Sequence, residues 1–326
     1  MVRVVRARVP PGPTGTVRRV PLTVDTVARR TVDVGATLSW FRHGVGDPTT
    51  RLTRHGAGTG AFARATFTPD GPATVLVRWG GRRPVAEAWG PGAEWMLGRV
   101  PAMTGADDDG APELRRAPDP AVRRAARDRR GDRLGASGDL YHELLPTIIG
   151  QRITSGEARR QWRRLCRELG TPAPGPIADL LLPPAPRELA GRPTWWFHPL
   201  GIERKRAQAL ITVARHADHL WRWAALGAGA AGPLLGRLRG VGLWTVGSVL
   251  GPALGDADAV PVGDYHLKHL VAWALAGEPR ATDERMLELL APYGGQRGRV
   301  ARLLKLTVGG APSFGPRQRI QPMHTW

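Results

Sequence analysis

The sequence predicts an α+β protein in which a small antiparallel β-sheet domain precedes a larger domain made only of helices. Short runs of Val and Thr separated by turn residues fill the first part of the chain, and apolar residues recur at helical spacing after Asp139. A length of 326 residues suits two ordinary domains, or one large domain with an N-terminal addition, and is ample for a hydrophobic core. We expect the following order: a β-rich domain over 1–102, an Arg-rich connection over 103–138, a helical domain over 139–309 and a basic tail over 310–326.

The β-rich part is predicted from its clusters of Val, Thr and Ala. Strands are expected over residues 31–34, 62–67 and 73–79. Thr68-Pro69-Asp70-Gly71 is a strong turn signal, so the last two strands should form a hairpin. Residues 86–101 are expected to supply one helix that packs on the sheet.

The connection differs in composition from its neighbours. An acidic segment, Asp107-Asp108-Asp109-Gly110, precedes a stretch that is dense in arginine. Its second half, residues 120–134, is expected to form a basic helix. A solvated charged face is the first interpretation of this helix, and direct contact with phosphate is the second.

The rest of the chain is typical of about eight helices joined by tight loops. The first helix carries its apolar residues on one stripe, formed by Leu140, Leu144, Leu145, Ile148 and Ile149. Thr154 and Glu157 fit a capping box for the next helix, which should end at Gly170. The other helices are expected near residues 176–182 and over 203–219, 233–238, 243–254, 264–276, 283–291 and 297–307.

Composition restricts the class of protein. The formal net charge is +19, which predicts attraction to nucleic acid; a basic protein without that role is the alternative. The single cysteine, Cys166, excludes an internal disulfide, a cysteine-based zinc site and a four-cysteine iron–sulfur cluster. No run of about 18 apolar residues occurs and no apolar segment follows the basic N-terminus, so we expect a cytoplasmic protein with no membrane contact.

Residues 238–250 contain the most informative motif. A short helix ends in Gly240-Val241-Gly242, and an apolar helix starts at once. Glycine allows positive φ and close approach of another chain, while the valine can plug inward. Free N–H groups at the start of the second helix suit a DNA phosphate. A purely structural turn is the alternative, because Gly-x-Gly spacings arise readily by chance in a chain with 42 glycines.

A second element follows at Pro261-Val262-Gly263-Asp264-Tyr265. Asp264 opens an apolar helix, and taken alone it is best interpreted as a helix N-cap. Hydrogen bonds from helix N–H groups and the helix dipole would also favour the ionised carboxylate, which is the form that a cationic sugar transition state requires. The two interpretations are compatible.

Together these motifs resemble the helix-hairpin-helix DNA glycosylases, and among them they are most similar to DNA-3-methyladenine glycosylase II. The resemblance covers residues 139–309 well and the N-terminal third loosely, where the family has a small curved β-sheet domain. Four motifs carry it in the family's order: the glutamine-containing first core helix at 145–154, Leu-Gly-x-x-x-Lys-Arg-Ala at 200–207, Leu-x-Gly-Val-Gly-x-Trp-Thr at 238–245, and Asp-Tyr-x-Leu-Lys at 264–268.

The resemblance implies an enzyme of base-excision repair that flips a damaged nucleotide out of duplex DNA. Asp264 would stabilise the oxocarbenium ion and orient the attacking water. Trp244 would hold a cationic base by stacking and cation–π attraction, although a core tryptophan is the alternative. Alkylated purines of the 3-methyladenine and 7-methylguanine type are the expected substrates. The hairpin that holds DNA phosphate would be formed by Gly240, Val241, Gly242 and Thr245.

The resemblance also implies a subclass. Family members that cleave the DNA backbone carry a lysine nucleophile two residues after the second hairpin glycine, and this chain has Trp244 there. Without that amine no Schiff base forms, so a monofunctional enzyme without lyase activity is expected. No catalytic metal and no cofactor are expected. A structural monovalent cation could bind the backbone carbonyls of Gly236, Leu238 and Val241.

The expected partner is double-stranded DNA with damaged bases, bound by a monomer associated with the nucleoid. Ser248 departs from the family's type member, which has an aromatic pocket residue there. Tyr265 is expected to pack internally, and the loop with Trp195 and Trp196 either enters the gap left by the flipped nucleotide or packs in the core. Two alternatives for the function remain: a non-catalytic helix-hairpin-helix DNA-binding module, and a glycosylase for another lesion such as a deaminated purine or uracil.

Overall fold

The computed structural model describes residues 18–21, 32–55, 58–80 and 84–312. The last part of the expected basic tail, residues 313–326, and residues 1–17 and 22–31 of the expected β-rich domain lie outside the described residues. Within the described ranges a sheet is followed by a succession of helices, so the predicted α+β class is confirmed. None of these helices combines the length and the apolar character that crossing a lipid bilayer requires.

The sheet of the N-terminal domain is antiparallel. Its strands are β1 (Arg18–Pro21), β2 (Thr50–Arg54), β3 (Gly60–Thr68), β4 (Gly71–Trp79) and β5 (Val85–Trp89). They lie side by side in the order β1-β5-β4-β3-β2. Strands β3 and β4 form the predicted hairpin, in which Thr68 pairs with Gly71 across the turn.

Two predictions for this domain are wrong. Within the predicted strand at 31–34, Val34 instead begins helix α1 (Val34–Ser39), because the Asp33 side chain caps it by accepting a hydrogen bond from the Ala36 N–H. The helix predicted over 86–101 begins later, as α2 (Ala93–Met103). Residues 85–89 pair with β4 as a strand, and Gly90-Pro91-Gly92 separates that strand from the helix.

The described helices after the sheet domain agree with most of the predicted ones. They are α3 (Pro120–Asp128), α4 (Leu140–Ile149), α5 (Ser155–Leu169), α6 (Pro186–Ala190), α7 (Arg204–Arg215), α8 (Ala217–Ala225), α9 (Ala228–Gly236), α10 (Leu243–Leu254), α11 (Leu267–Ala276), α12 (Asp283–Leu290) and α13 (Arg297–Thr307). The helix expected over 203–219 is interrupted at His216. Residues 176–182 are not the expected short helix, since Leu181 instead forms a bridge with Pro172.

The helices pack around two separate apolar cores. The first is centred on α4, whose Leu144 and Ile148 are fully buried, and it includes residues of α5 and α7–α10. The second joins α11, α12 and α13 to α3, the basic helix of the connection. Helix α3 buries Val122 and Ala125 against this core and turns Arg124 to solvent, as a solvated charged face would. The loop between α10 and α11 therefore crosses from one core to the other.

A buried polar network ties the sheet to α4. Arg64 of β3 pairs with Glu143 of α4 at an N···O distance of 2.7 Å, and both side chains are buried. Burial alone would raise the pKa of Glu143, but the Arg64 guanidinium and His43 lower it to about 2. Asp139 caps α4 by accepting a hydrogen bond from the backbone N–H of His142. This network fixes the start of α4, the helix at whose other end the candidate site begins.

His142 should make the stability of the protein depend on pH. Burial, followed by the charges of Arg64 and His43, lowers its pKa well below 6.5, so the folded protein holds a neutral ring whereas the unfolded chain binds a proton below that pH. Stability contributed by His142 is therefore present above pH 6.5 and is lost on acidification. We expect the unfolding free energy of wild type, taken relative to His142→Gln, to fall by about 1.4 kcal/mol between pH 7.5 and 5.5.

Urea unfolding of both proteins at several pH values measures this difference. Both proteins contain the same buried acids, so the contributions of those acids to the unfolding free energy largely cancel when the two values are subtracted. A constant difference for His142→Gln across the range would contradict a buried neutral ring.

Candidate active site

The turn between α9 and α10 is built on two glycines with different conformations. Gly240 has a φ of +91°, and a Cβ there would lie 2.5 Å from the Cβ of Ala209 on α7. Backbone conformation and packing therefore both require glycine at this position. Gly242 is extended, with φ −95° and ψ −177°, and a Cβ there would meet nothing within 4 Å. Gly242 thus leaves the backbone open to an approaching chain.

The other residues of the turn anchor it and expose the start of α10. Val241 is 3% exposed and belongs to the first core, as the predicted inward plug would. Leu243, the first residue of α10, is 76% exposed. The N-cap position is occupied by Gly242, which has no side chain to satisfy the N–H groups of the first turn. These N–H groups are the feature expected to bind phosphate.

Gln151 braces the turn from the end of α4. Its side-chain Nε2 donates to the Gly240 carbonyl and to the Thr245 hydroxyl, each at 2.9 Å. Thr245 is predicted to belong to the turn that holds phosphate. Its side chain is buried, and its hydroxyl accepts a hydrogen bond from Gln151. Its contact with phosphate stays a prediction. The glutamine motif was visible in the sequence, whereas its contact with the turn depends on the packing of α4 against α10.

Asp264 lies on the loop before α11 and is partly exposed. Its Oδ1 accepts hydrogen bonds from the backbone N–H groups of His266 and Leu267, each at 2.9 Å. The carboxylate therefore caps the turn that leads into α11, which agrees with the N-cap interpretation although the helix itself begins at Leu267. Its Oδ2 accepts from the indole Nε1 of Trp244 at 3.2 Å. All three donors suit an ionised carboxylate, which accepts hydrogen bonds and donates none.

Trp244 connects the Gly240–Gly242 turn to the Asp264 carboxylate. It occupies the first turn of α10 and is half-buried, with the far edge of its ring near Gly150 and its Cβ near Gly263. Because the indole N–H points at Asp264, the ring is held in a defined orientation beside the acid. Ser248, one turn further along, donates to the Trp244 carbonyl at 2.7 Å and not to the acid.

The loop that carries Asp264 is held by close backbone packing. A Cβ on Gly247 of α10 would lie 2.2 Å from the Val260 carbonyl oxygen, and a Cβ on Gly298 of α13 would lie 2.3 Å from that of Ala259. Arg297 of α13 also forms an ion pair with Asp258 of the loop. Helices from both cores therefore fix the path of the chain on its way to Asp264.

Lys205 and Arg206, the Lys-Arg pair of the 200–207 motif, lie in different environments. Arg206 is buried, and its NH1 donates to the Ile149 carbonyl and to Gln161, each at 2.7 Å. It therefore joins α7 to the end of α4. Lys205 is exposed, one turn before the Ala209 that contacts the hairpin.

Of the remaining aromatic candidates, two are exposed and one packs against the first core. Tyr265 was expected to pack internally, but it is 66% exposed and stands edge-on against the rings of His266 and His269. In the loop that precedes α7, Trp195 is 73% exposed, whereas Trp196 is half-buried against the first core. Trp196 therefore packs against the core, and the entry of Trp195 into the gap left by a flipped nucleotide stays a prediction.

The carbonyl groups suggested for a monovalent cation lie in one turn. The Leu238 carbonyl accepts a hydrogen bond from the Val241 N–H at 3.0 Å, which tightens the turn between Gly236 and the hairpin. Backbone carbonyl oxygens are hard donors of the kind that suit such a cation. The cation stays a prediction.

Comparison with known proteins agrees with this architecture. No protein-family model matches the chain, and neither does any curated protein. Among solved structures, the 3-methyladenine DNA-glycosylase from Archaeoglobus fulgidus is similar with a TM-score of 0.67 and 18% identity, over 88% of this chain and 96% of that one. The apo form of the Clostridium acetobutylicum 8-oxoguanine glycosylase/lyase is similar with a TM-score of 0.62 and 15% identity, over 85% and 93% of the two chains.

The same Clostridium acetobutylicum enzyme in complex with double-stranded DNA containing cytosine opposite 8-oxoguanine gives a TM-score of 0.62 at 17% identity, over 84% of this chain and 91% of that one. These likenesses span both the sheet and the helices and include nearly the whole of each known protein. The chain therefore has the fold of the helix-hairpin-helix DNA glycosylases, as its four sequence motifs predicted.

Proposed function

We propose that this chain is a monofunctional DNA glycosylase that removes alkylated purines, of the 3-methyladenine and 7-methylguanine type, from duplex DNA. One observation carries the proposal. The partly exposed carboxylate of Asp264 is hydrogen-bonded to Trp244, which lies in the first turn after the hairpin glycines. The acid and the phosphate-binding turn therefore stand next to each other at one place on the molecule.

The charge around the hairpin supports DNA as the partner. Arg237 and Arg239 precede Gly240 and are exposed, and the exposed Arg152 directly follows the bracing Gln151. With a net charge of +19, the chain attracts a polyphosphate over distances up to the Debye length. Phosphate contacts of this kind fix the position of the duplex and carry no base information.

The reaction follows from where the carboxylate lies. The hairpin holds the phosphates of the damaged strand through N–H groups, and the flipped nucleotide presents its C1′ to Asp264. As the N-glycosidic bond breaks, its electron pair leaves with the base and positive charge develops on the sugar. The Asp264 carboxylate stabilises that charge, and a water molecule adds to C1′ and loses its proton to the carboxylate or to solvent.

The choice of substrate rests on Trp244. An electron-rich indole beside the acid attracts a positively charged base, and alkylation at purine N3 or N7 creates such a charge. A cationic base is also a good leaving group and needs little protonation by the enzyme. A similar fold belongs to proteins described as a 3-methyladenine glycosylase and as an 8-oxoguanine glycosylase/lyase, so 8-oxoguanine is the principal competing substrate.

Lyase activity is not part of the proposal. A lyase needs an amine that attacks the sugar, and Trp244 occupies the position where the resemblance places that lysine. Lys268, the nearest lysine in sequence to Asp264, is engaged in an ion pair with Asp283 at 3.1 Å. We therefore expect an abasic product whose backbone stays intact until it is treated with alkali.

Base release from defined duplexes tests the proposal. Duplexes carrying 7-methylguanine, 8-oxoguanine, hypoxanthine or uracil are incubated with the protein, and abasic sites are counted with and without alkali. Release from the 7-methylguanine duplex alone, with alkali-dependent cleavage, is the expected result. Release from another duplex only would reassign the lesion. Tight binding without any release would instead support the non-catalytic DNA-binding module.

A further inference from the structure

Asp283, the first residue of α12, contacts both ends of the segment that carries Asp264. Its Oδ1 accepts a hydrogen bond from the Gly263 N–H at 3.0 Å, and its Oδ2 pairs with Lys268 Nζ at 3.1 Å. Gly263 directly precedes Asp264, and Lys268 lies in the first turn of α11. The Asp283 carboxylate, which belongs to a different helix, therefore contacts the chain on both sides of Asp264.

The hydrogen bond to the Gly263 N–H holds a backbone conformation that is uncommon in proteins. Gly263 has a φ of +92°, a conformation that side-chain-bearing residues rarely adopt. The Asp264 side chain accepts hydrogen bonds from N–H groups of its own segment, at His266 and Leu267, and from the Trp244 indole of α10. The first two bonds move with the segment, and the Trp244 bond holds only the side chain. Asp283 supplies a further fixed point outside the segment, on the backbone directly before the acid.

An ordinary explanation for Asp283 is the acidic first turn of a helix, where a negative charge interacts favourably with the dipole. Glu284, the next residue, has the same location in α12 but is exposed. Asp283 is partly buried and turned toward the loop. Comparing the two acids therefore separates the dipole effect, which both would show, from the hydrogen bond to the Gly263 N–H, which Asp283 makes.

We propose that Asp283 is a positioning residue for Asp264, acting through its hydrogen bond to the Gly263 N–H. The inference deepens the proposed function and rests on it, since it concerns how the acid is held against the sugar. A displacement of about 1 Å in a reacting group is enough to cost about 100-fold in rate. Chemistry should therefore depend on Asp283 more strongly than DNA binding does.

Four substitutions separate the possible roles. Asp283→Ala removes both contacts, and we expect the single-turnover rate of base release to fall by about 10- to 100-fold while duplex affinity is nearly unchanged. Asp283→Asn keeps an oxygen that accepts from Gly263 and should restore the rate to within about fivefold of wild type. Lys268→Met removes only the partly exposed ion pair and should also stay within about fivefold. Glu284→Ala is the matched control and should behave as wild type.

Hydrogen exchange of the backbone amides at 262–266 provides a readout that does not need activity. We expect exchange there to be at least about 10-fold faster in Asp283→Ala than in wild type, and close to wild type in the other three variants. Thermal unfolding of each variant shows whether a loss of rate accompanies a loss of the fold.

The outcomes distinguish this inference from the proposed function. If wild type releases base and Asp283→Ala does so equally fast, the inference is wrong while the function stands. Equal losses in Asp283→Ala and Lys268→Met, or in Asp283→Ala and Asp283→Asn, would also overturn it, because the ion pair or the charge would then be responsible. If wild type releases no base from any duplex, the function fails, and the exchange rates alone decide whether Asp283 holds the loop.

Discussion

Substitution of Asp264 by asparagine should reduce base release by about 10³-fold and leave duplex binding nearly intact. Asparagine removes the negative charge that we propose stabilises the developing oxocarbenium ion. Its side-chain oxygen can still accept hydrogen bonds from the backbone N–H groups of His266 and Leu267, and asparagine is as good a capping residue as aspartate. The fold should therefore persist while the chemistry is lost.

Single-turnover kinetics and equilibrium binding of the same duplex measure the two effects separately. Asp256→Asn is the matched control, since Asp256 lies on the same loop and accepts a hydrogen bond from the Asp258 N–H that asparagine can retain. Release by Asp264→Asn at the wild-type rate would remove Asp264 from the reaction.

The hairpin glycines should respond very differently to alanine. Gly240→Ala places a Cβ into Ala209 and forces alanine into the left-handed region, at about 1–2 kcal/mol for the backbone and about 1–3 kcal/mol for the overpacking. Gly242→Ala meets neither obstacle and should change the unfolding free energy by less than about 0.5 kcal/mol. The first variant should therefore bind every duplex more weakly, because it distorts the turn proposed to hold phosphate.

Urea unfolding and binding to damaged and undamaged duplexes distinguish the two glycines. A loss of affinity in Gly242→Ala at unchanged stability would report a direct contact between that backbone and DNA. Weaker binding of one lesion alone by Gly240→Ala would contradict a role in phosphate contact, and equal stabilities of the two variants would contradict the packing of Gly240 against α7.

The parts of the fold and site that the sequence predicts are those set by neighbouring residues. The β3–β4 hairpin follows from a single turn signal, and α10 begins directly after its glycine turn as expected. The capping by Asp264 is likewise a local property of its loop. The helix expected over 86–101 is wrong at its start because pairing with β4, a tertiary effect, overrides the helical pattern of residues 85–89.

The parts that sequence reasoning missed depend on contacts between distant segments. Gln151 and Thr245 are far apart in the chain, and only the packing of α4 on α10 shows that the Gln151 amide donates to the Thr245 hydroxyl. Asp283 looks like an ordinary acid at a helix start until its oxygen is seen on the Gly263 N–H. No pattern along the chain distinguishes it from Glu284.

The most direct test of the proposed role of Asp264 measures whether this carboxylate recognises positive charge on the sugar. Two duplexes are compared, one containing a neutral abasic analogue and the other an analogue whose ring carries a cationic nitrogen at the position of the anomeric carbon. Wild type should bind the cationic duplex at least about 100-fold more tightly than the neutral one, as expected for a transition-state analogue. Asp264→Asn should lose that preference and bind the two alike. Equal affinity of wild type for both duplexes, or an unchanged preference in Asp264→Asn, would contradict a carboxylate that faces the reacting sugar.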